Sequence, residues 1–317
     1  MLDDQDLAAL ALTSRLVESA AKPLSAREFW AMRRDVEPSA LLGMTAHRMR
    51  DQLAGTGLDA ERVTRLLDRN AALAITIEKL GHSGIWTITG VGPGYPTRLR
   101  GRLRDAAPVV LHGVGDPALL DSDGIGVVGS REVSEAGSRF AREIAKRAAK
   151  AGLPLVSGAA RGVDSEAMNG AFEAGGHVVG VLADALERAV TRRSTRRGVV
   201  SGQICLVTPF TPSTPFSVGN AMGRNKIIYG LSRCTVVVSS DRETGGTWAG
   251  ATEALKHQYG RVASWVGEGC GAGNAKLVEQ GAVELADLGS FTALFEDADA
   301  PPAIPAERAN DQLRLGF

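Results

Sequence analysis

Residues 125–131 read Ile125-Gly126-Val127-Val128-Gly129-Ser130-Arg131, and residues 153–164 read Leu153-Pro154-Leu155-Val156-Ser157-Gly158-Ala159-Ala160-Arg161-Gly162-Val163-Asp164. Each begins as a short apolar run suited to a buried strand and ends in small residues with an arginine. Each leads into a helical pattern, the first over about residues 134–151 and the second over about residues 164–174. Strand, loop and helix repeated in this order predict the α/β class, with a doubly wound and mostly parallel sheet.

The alternation extends in both directions. Residues 177–182, 203–207 and 235–238 read as further strands, a helix follows over about residues 247–257, and a strand at 262–266 closes the series. On the N-terminal side, residues 84–88 and 109–113 read as strands, with residues 95–99 turning into a helix between them. Apolar strands alternating with helices imply a sheet covered on both faces. Ligands of such sheets bind beyond the C-terminal ends of the strands, so the informative residues are expected there.

Residues 1–80 carry a different pattern. Leu7, Leu10, Ala11 and Leu12 start one apolar face, Phe29, Trp30 and Met32 another, and Val63, Leu66, Leu67 and Ala71 a third at helical spacing. They predict a small helical N-terminal domain, ahead of an α/β domain over 81–297. Residues 298–317 open on Ala-Pro-rich sequence with little to bury, read as a flexible linker with a C-terminal peptide.

With 36 Lys+Arg against 36 Asp+Glu the net charge is zero, so any grip on a polyanion must come from a local patch. Cys205, Cys234 and Cys270 are odd in number and form no CxxC pair, which argues against a disulfide framework or a structural zinc. The start is acidic, and no apolar run reaches the length of a membrane span. A cytoplasmic protein without membrane contact is expected.

The strand ends carry the chemistry. At Gly129-Ser130-Arg131, bare amides, a hydroxyl and a planar cation stand together as a phosphate site requires. At residues 157–164, Ser157, Gly158 and Arg161 repeat that combination, and Asp164 is placed to cap the next helix. Gly223-Arg224-Asn225-Lys226-Ile227-Ile228 reads as a helix end presenting Arg224, Asn225 and Lys226 to a ligand. Thr244-Gly245-Gly246-Thr247 opens a helix near Trp248, an arrangement suited to an anion. Arg188, Arg192 and Arg196 follow i, i+4, i+8 spacing with Arg193 and Arg197 beside them; on one helix they form a basic stripe, either a solvated face or a track for a phosphate backbone. Gly90, Gly92 and Gly94 do not fit GxGxxG, no Walker lysine loop exists, and the five histidines are scattered. Neither a cofactor, a metal nor a catalytic triad is therefore expected.

Read jointly, these words resemble the DprA/Smf family of DNA-processing proteins over about residues 84–288. The resemblance rests on Tyr95-Pro96-x-x-Leu99, Ala107-Pro108-Val109-Val110-Leu111-His112-Gly113 and Val127-Val128-Gly129-Ser130-Arg131. It continues through residues 157–164, Arg224-Asn225-Lys226-Ile227-Ile228-x-Gly230-Leu231-Ser232 and Gly273-Asn274-x-x-Leu277-x-x-x-Gly281-Ala282. It implies an extended Rossmann-like fold, homodimerisation, single-stranded DNA binding in a basic pocket, and partnership with a RecA-type recombinase in recombination or natural transformation. Carried over, the pocket cations are Arg131, Arg161, Arg224 and Lys226, and phosphates meet the amides around Gly129 and Gly158. The chain departs from the family at Met168, where a histidine is usual, and after Leu186, where a Tyr-Pro-x-x-Asn segment is replaced by the arginines. It departs again at residues 244–248, which lean toward the loop of nucleotide-hydrolysing relatives. No winged-helix domain is expected after the Rossmann-like part.

The end of the sequence, Gln312-Leu313-x-Leu315-x-Phe317, resembles the short peptide that docks on the DNA sliding clamp. The expectation is a non-enzymatic single-stranded DNA binder. The alternative is a nucleotide sensor or phosphoribohydrolase-like enzyme with Glu253 as general acid or base.

Overall fold

Five helices precede the first strand in the computed structural model, which describes residues 2–292 and 294. They are α1 (Asp4–Thr13), α2 (Ala26–Met32), α3 (Ala46–Gln52), α4 (Ala60–Leu67) and α5 (Asn70–His82). Local signals set their starts: Asp3 caps α1, Asp59 caps α4, and Ser25 with Glu28 forms a reciprocal capping box on α2. Their apolar faces do not close a separate core. Leu10, Phe29, Met49 and Leu66 belong to one buried cluster with Leu99, Leu111, Val237 and Ala251 of the α/β part. Two buried polar contacts fix the junction: Trp30 Nε1 donates to the Ala107 carbonyl at 2.8 Å, and Thr89 Oγ1 donates to Asp6 at 2.5 Å.

The remainder alternates as the apolar runs dictate. In order it gives β1 (Trp86–Thr89), α6 (Thr97–Leu103), β2 (Val110–Val114), β3 (Gly124–Gly129), α7 (Glu135–Lys150), β4 (Leu155–Ser157), α8 (Val163–Glu173) and β5 (Val178–Val181). There follow α9 (Leu186–Thr191), α10 (Arg193–Val200), β6 (Ile204–Thr208), α11 (Val218–Leu231), β7 (Ser232–Ser239), α12 (Gly245–His257), β8 (Arg261–Trp265), α13 (Asn274–Glu279) and β9 (Val283–Leu285). The nine strands form one sheet in the order β1-β2-β6-β5-β4-β3-β7-β8-β9. Only the β1–β2 and β2–β6 pairings are antiparallel. The strand series does not end at β8, because β9 pairs with it through Ala263–Trp265.

Side chains alternate across the sheet as the pleat requires. Ile125, Val127, Val236 and Val238 face a cluster with Phe140, Ala141, Ile144 and Ala167 of α7 and α8. Val128, Val156, Val179 and Val237 face α11, α12 and the N-terminal helices. The chain runs from β3 outward to β4 and β5, then crosses back through α11 to lay β7 on the other side of β3. That reversal opens a crevice over the C-terminal end of β3, where open α/β sheets bind ligands.

Three local expectations are corrected. Residues 223–228 lie inside α11, not at a helix end, since Ser217 caps that helix six residues earlier. Asp164 is not the cap of α8; Gly162 takes that position at φ +77°, and Asp164 is buried in the first turn. The arginine stripe is not one helix face: Arg192 is extended (φ −70°, ψ 132°) and divides α9 from α10. Its amide still closes onto the Ala189 carbonyl, and Arg196 Nε donates back to the Val190 carbonyl, so the two short helices fold against each other.

Candidate functional site

A cavity of about 700 Å³ sits over the crevice. Four segments wall it: Gly129 at the end of β3 with Ser130 and Arg131 after it, Ala160 and Arg161 after β4, one face of α11 with Arg224 and Asn225, and Thr244–Thr247 at the start of α12. Backbone contacts hold these segments in register. Val163 N–H donates to the Ser130 carbonyl at 3.2 Å, and a Cβ at Gly162 would collide with the backbone of Ser130 and Arg131. Ala159 takes a left-handed conformation (φ +53°) to make the turn between β4 and α8, which costs a non-glycine residue on the order of 1 kcal/mol. On the opposite wall, Asn225 Nδ2 donates to the Gly246 carbonyl at 3.0 Å and ties α11 to α12.

Arg224 lies at the bottom of the cavity. It is 4% exposed, and its Nε and Nη1 have no hydrogen-bond acceptor among the described residues. Burial lowers its pKa from the usual arginine value; Asp164 and Asp184 oppose that shift, and the charge of Arg131 adds to it. Asp164 is buried beside it. Desolvation pushes its carboxyl up, while Arg224 and the amides of Ala160 and Gly158 pull it down. A guanidinium taken out of water without full pairing costs several kcal/mol in general, and each missing acceptor roughly 1–3 kcal/mol. An anion entering the cavity would meet the charge of this guanidinium in the cavity lining.

The remaining expected residues fall into two groups. Gly129, Ser130, Arg131, Arg161, Arg224, Asn225, Gly245, Gly246 and Thr247 share the cavity. Ser157, Gly158 and Lys226 do not line it. Ser157 is fully buried, with Oγ donating to the Val127 carbonyl at 2.7 Å. The Gly158 amide serves Asp164. Lys226 follows Arg224 by two positions, about 200° around the helix, and faces Glu253 and Arg27 on the far side. Glu253 also hydrogen-bonds Tyr259 and is not among the cavity residues. Arg188, Arg192 and Arg196 lie outside the cavity on α9, at the break and on α10. Gln312, Leu313, Leu315 and Phe317 lie outside the described residues.

Sequence reading missed the rim. Val218 is 70% exposed and Met222 45%, and both line the cavity with Trp248. Phe216, 49% exposed, stacks under the Arg131 guanidinium at 5.2 Å. Exposed apolar side chains beside a charged floor were not legible, because nothing in the segment 209–218 distinguishes a buried turn from an open lip. The acids Glu132, Asp241 and Glu243 share the cavity wall, so its surface is of mixed sign. Asn274, one of the family words, has a structural task. Fully buried, it accepts from Ser240 and Gly271 amides and donates to carbonyls of Val237, Val238 and Trp265, joining the ends of β7 and β8. No group of metal-binding side chains occurs among the described residues, and none of their helices is long and apolar enough to cross a membrane.

Comparison with known proteins agrees with this architecture. The family model described as DNA recombination-mediator protein A matches residues 86–296. Protein Smf of Synechocystis is 28% identical over 163 residues, half of this chain and 40% of that protein, so the match spans about two fifths of that relative's length. The solved structure of DNA processing protein A from Streptococcus pneumoniae superposes with a TM-score of 0.71 at 20% identity, over 93% of this chain and 99% of that one. A Helicobacter pylori DNA processing protein A, whose structure describes a single-stranded DNA binding mode, gives 0.54 at 20% identity, over 67% of this chain and 96% of its own.

Proposed function

Since the chain belongs to the DNA recombination-mediator protein A family, we propose that it is a non-catalytic protein of DNA processing that holds single-stranded DNA in the cavity over β3. The observation that carries this reading is the buried guanidinium of Arg224, which lines one cavity with the exposed guanidinium donors of Arg131 and Arg161, a space large enough for a nucleotide unit. A phosphate satisfies such donors with charge-assisted hydrogen bonds. The apolar lip of Phe216, Val218, Met222 and Trp248 favours unpaired bases, which need platforms to stack on once they leave a duplex. The rim acids suit the same ligand, because nucleobases bring amino donors with them.

The test is a titration of labelled single-stranded oligonucleotide, with duplex and mononucleotide as competitors. Arg131→Ala combined with Arg161→Ala changes two exposed side chains, and Arg224→Gln changes the buried one. Each is expected to weaken binding about tenfold or more without regard to sequence, the loss of one to two charge-assisted bonds. Wild-type affinity in both variants would remove the cavity from the account. The Thr244–Thr247 turn on the cavity wall favours one other reading, a sensor for a free nucleotide. Competition by mononucleotide at concentrations where the oligonucleotide binds would select it.

Homodimerisation, partnership with a RecA-type recombinase and docking of residues 312–317 on the sliding clamp follow from the family and the peptide pattern as further parts of the proposal. Co-purification of the full chain with recombinase and with clamp, alongside a Leu315→Ala, Phe317→Ala form, addresses both partners. Clamp retention is expected to be lost in the double variant and recombinase retention kept; equal clamp retention by both forms would remove the peptide's role.

A further inference from the structure

Four exposed arginines of this chain carry an acidic partner: Arg34 pairs with Asp105, Arg65 with Glu61, Arg139 with Glu135 and Arg242 with Glu243. The segment 186–200 concentrates arginines without such partners. It holds Arg188, Arg192, Arg193, Arg196 and Arg197, all exposed, against the single acid Glu187, and none of the five forms an ion pair among the described residues. Such a concentration of positive charge repels itself and, in a chain of zero net charge, is a local field with no ion-pair partner among the described residues.

Its position gives the field a direction. The Glu187 amide donates to the Pro212 carbonyl at 3.1 Å, fastening the start of α9 to the segment that carries Phe216 and runs into α11. Asp184, two residues before α9, is close enough to act on the charge of Arg224. Through these contacts the start of α9 is tied toward α11, the helix that carries Arg224. The cluster ends at the N-terminal end of β6, where Gly198 packs against Ile204. Because β5 and β6 are parallel, the chain from 186 to 200 returns along the whole strand length, about 17 Å for a five-residue strand.

We propose that the arginines of α9 and α10 form a second phosphate-binding surface that carries the same single strand away from the cavity along the flank of β5 and β6. This rests on the reading of the cavity as a single-stranded DNA site. The break at Arg192 favours the role, since two short helices set against each other spread the guanidinium groups instead of stacking them along one line. Long, exposed arginine side chains on such a surface meet phosphates one by one, with no base readout.

The experiment compares a strand of about four nucleotides, enough for the cavity, with one of about thirty, using the full chain over a salt series. In the variant Arg188→Gln, Arg192→Gln, Arg197→Gln, the long strand is expected to bind about tenfold more weakly. The salt slope of its binding constant should fall by about 2, the effect of three lost contacts on single-stranded nucleic acid. Binding of the short strand stays as in wild type, and lysine at the three positions restores most of the long-strand affinity. An unchanged affinity and slope for the long strand overturns the second surface while leaving the cavity intact. So does a loss that falls equally on both lengths, because that places the damage in the fold or the cavity. Failure of the cavity reading looks different: the Arg131→Ala, Arg161→Ala protein would bind the short strand as wild type does.

Discussion

Position 158 and the side chain of Arg224 compete for the same space. A Cβ on Gly158 would overlap Arg224 Nη1 and crowd the Asp164 carboxylate. This explains a glycine whose own backbone does not take a left-handed conformation: it is required by what lies above it, not by its φ. Gly158→Ala is therefore expected to push the guanidinium off the cavity floor, weakening oligonucleotide binding about tenfold. Stability would fall by about 1–3 kcal/mol, the usual cost of overpacking a filled site. Denaturant midpoints and anisotropy titrations measure the two effects separately, and unchanged binding would show that Arg224 does not need this place. Glycine and arginine were each legible as motif words sixty-six positions apart; their mutual exclusion was not, because no local rule couples them.

At the scale of elements, sequence signals held where the determinant is local. The Ser134 cap and the buried spacing of Phe140, Ala141, Ile144, Ala145 and Ala148 define α7 almost to the residue. The signals failed where helix phase decides. Arg224 and Lys226 read as one basic word, yet α11 turns them to different partners. Helix α2 offers a test of local encoding. Glu28 receives the Ser25 amide and Arg62 Nη1, and the Arg62 hydrogen bond holds its carboxyl down to about 2. A carboxyl lowered by folding stabilises the protein above its ordinary pKa of 4.5, and that stability is lost as pH falls toward about 2. Glu28→Gln should lower stability by about 1 kcal/mol at neutral pH, discounted for its partial exposure. The gap to wild type should close progressively below pH 4.5; a gap independent of pH would mean that charge plays no part in this cap.

For the molecule as a whole, the antiparallel β1–β2–β6 edge carries a buried histidine that couples folding to pH. His112 is buried at the centre of β2, opposite Thr87 and Thr208, with Nδ1 2.9 Å from Thr87 Oγ1. Burial lowers its pKa from 6.5 to about 4. Between those values the unfolded chain binds the proton and the folded one does not, so stability rises with pH through this window and is fully present above it. The contribution is on the order of 3 kcal/mol. Unfolding midpoints of His112→Gln measured from pH 7 to pH 4 should decline less steeply than those of wild type; parallel curves would assign the coupling to other groups. What the sequence determined alone was the order of elements, the parallel sheet and the family, since strand and helix periodicities and contiguous motif words are properties of neighbours along the chain. Only the tertiary structure decided which cations converge, that the N-terminal helices share a core with the sheet, and that an apolar lip borders the cavity. Those depend on helix phase and on how distant segments fill common volume, which no stretch of sequence specifies by itself.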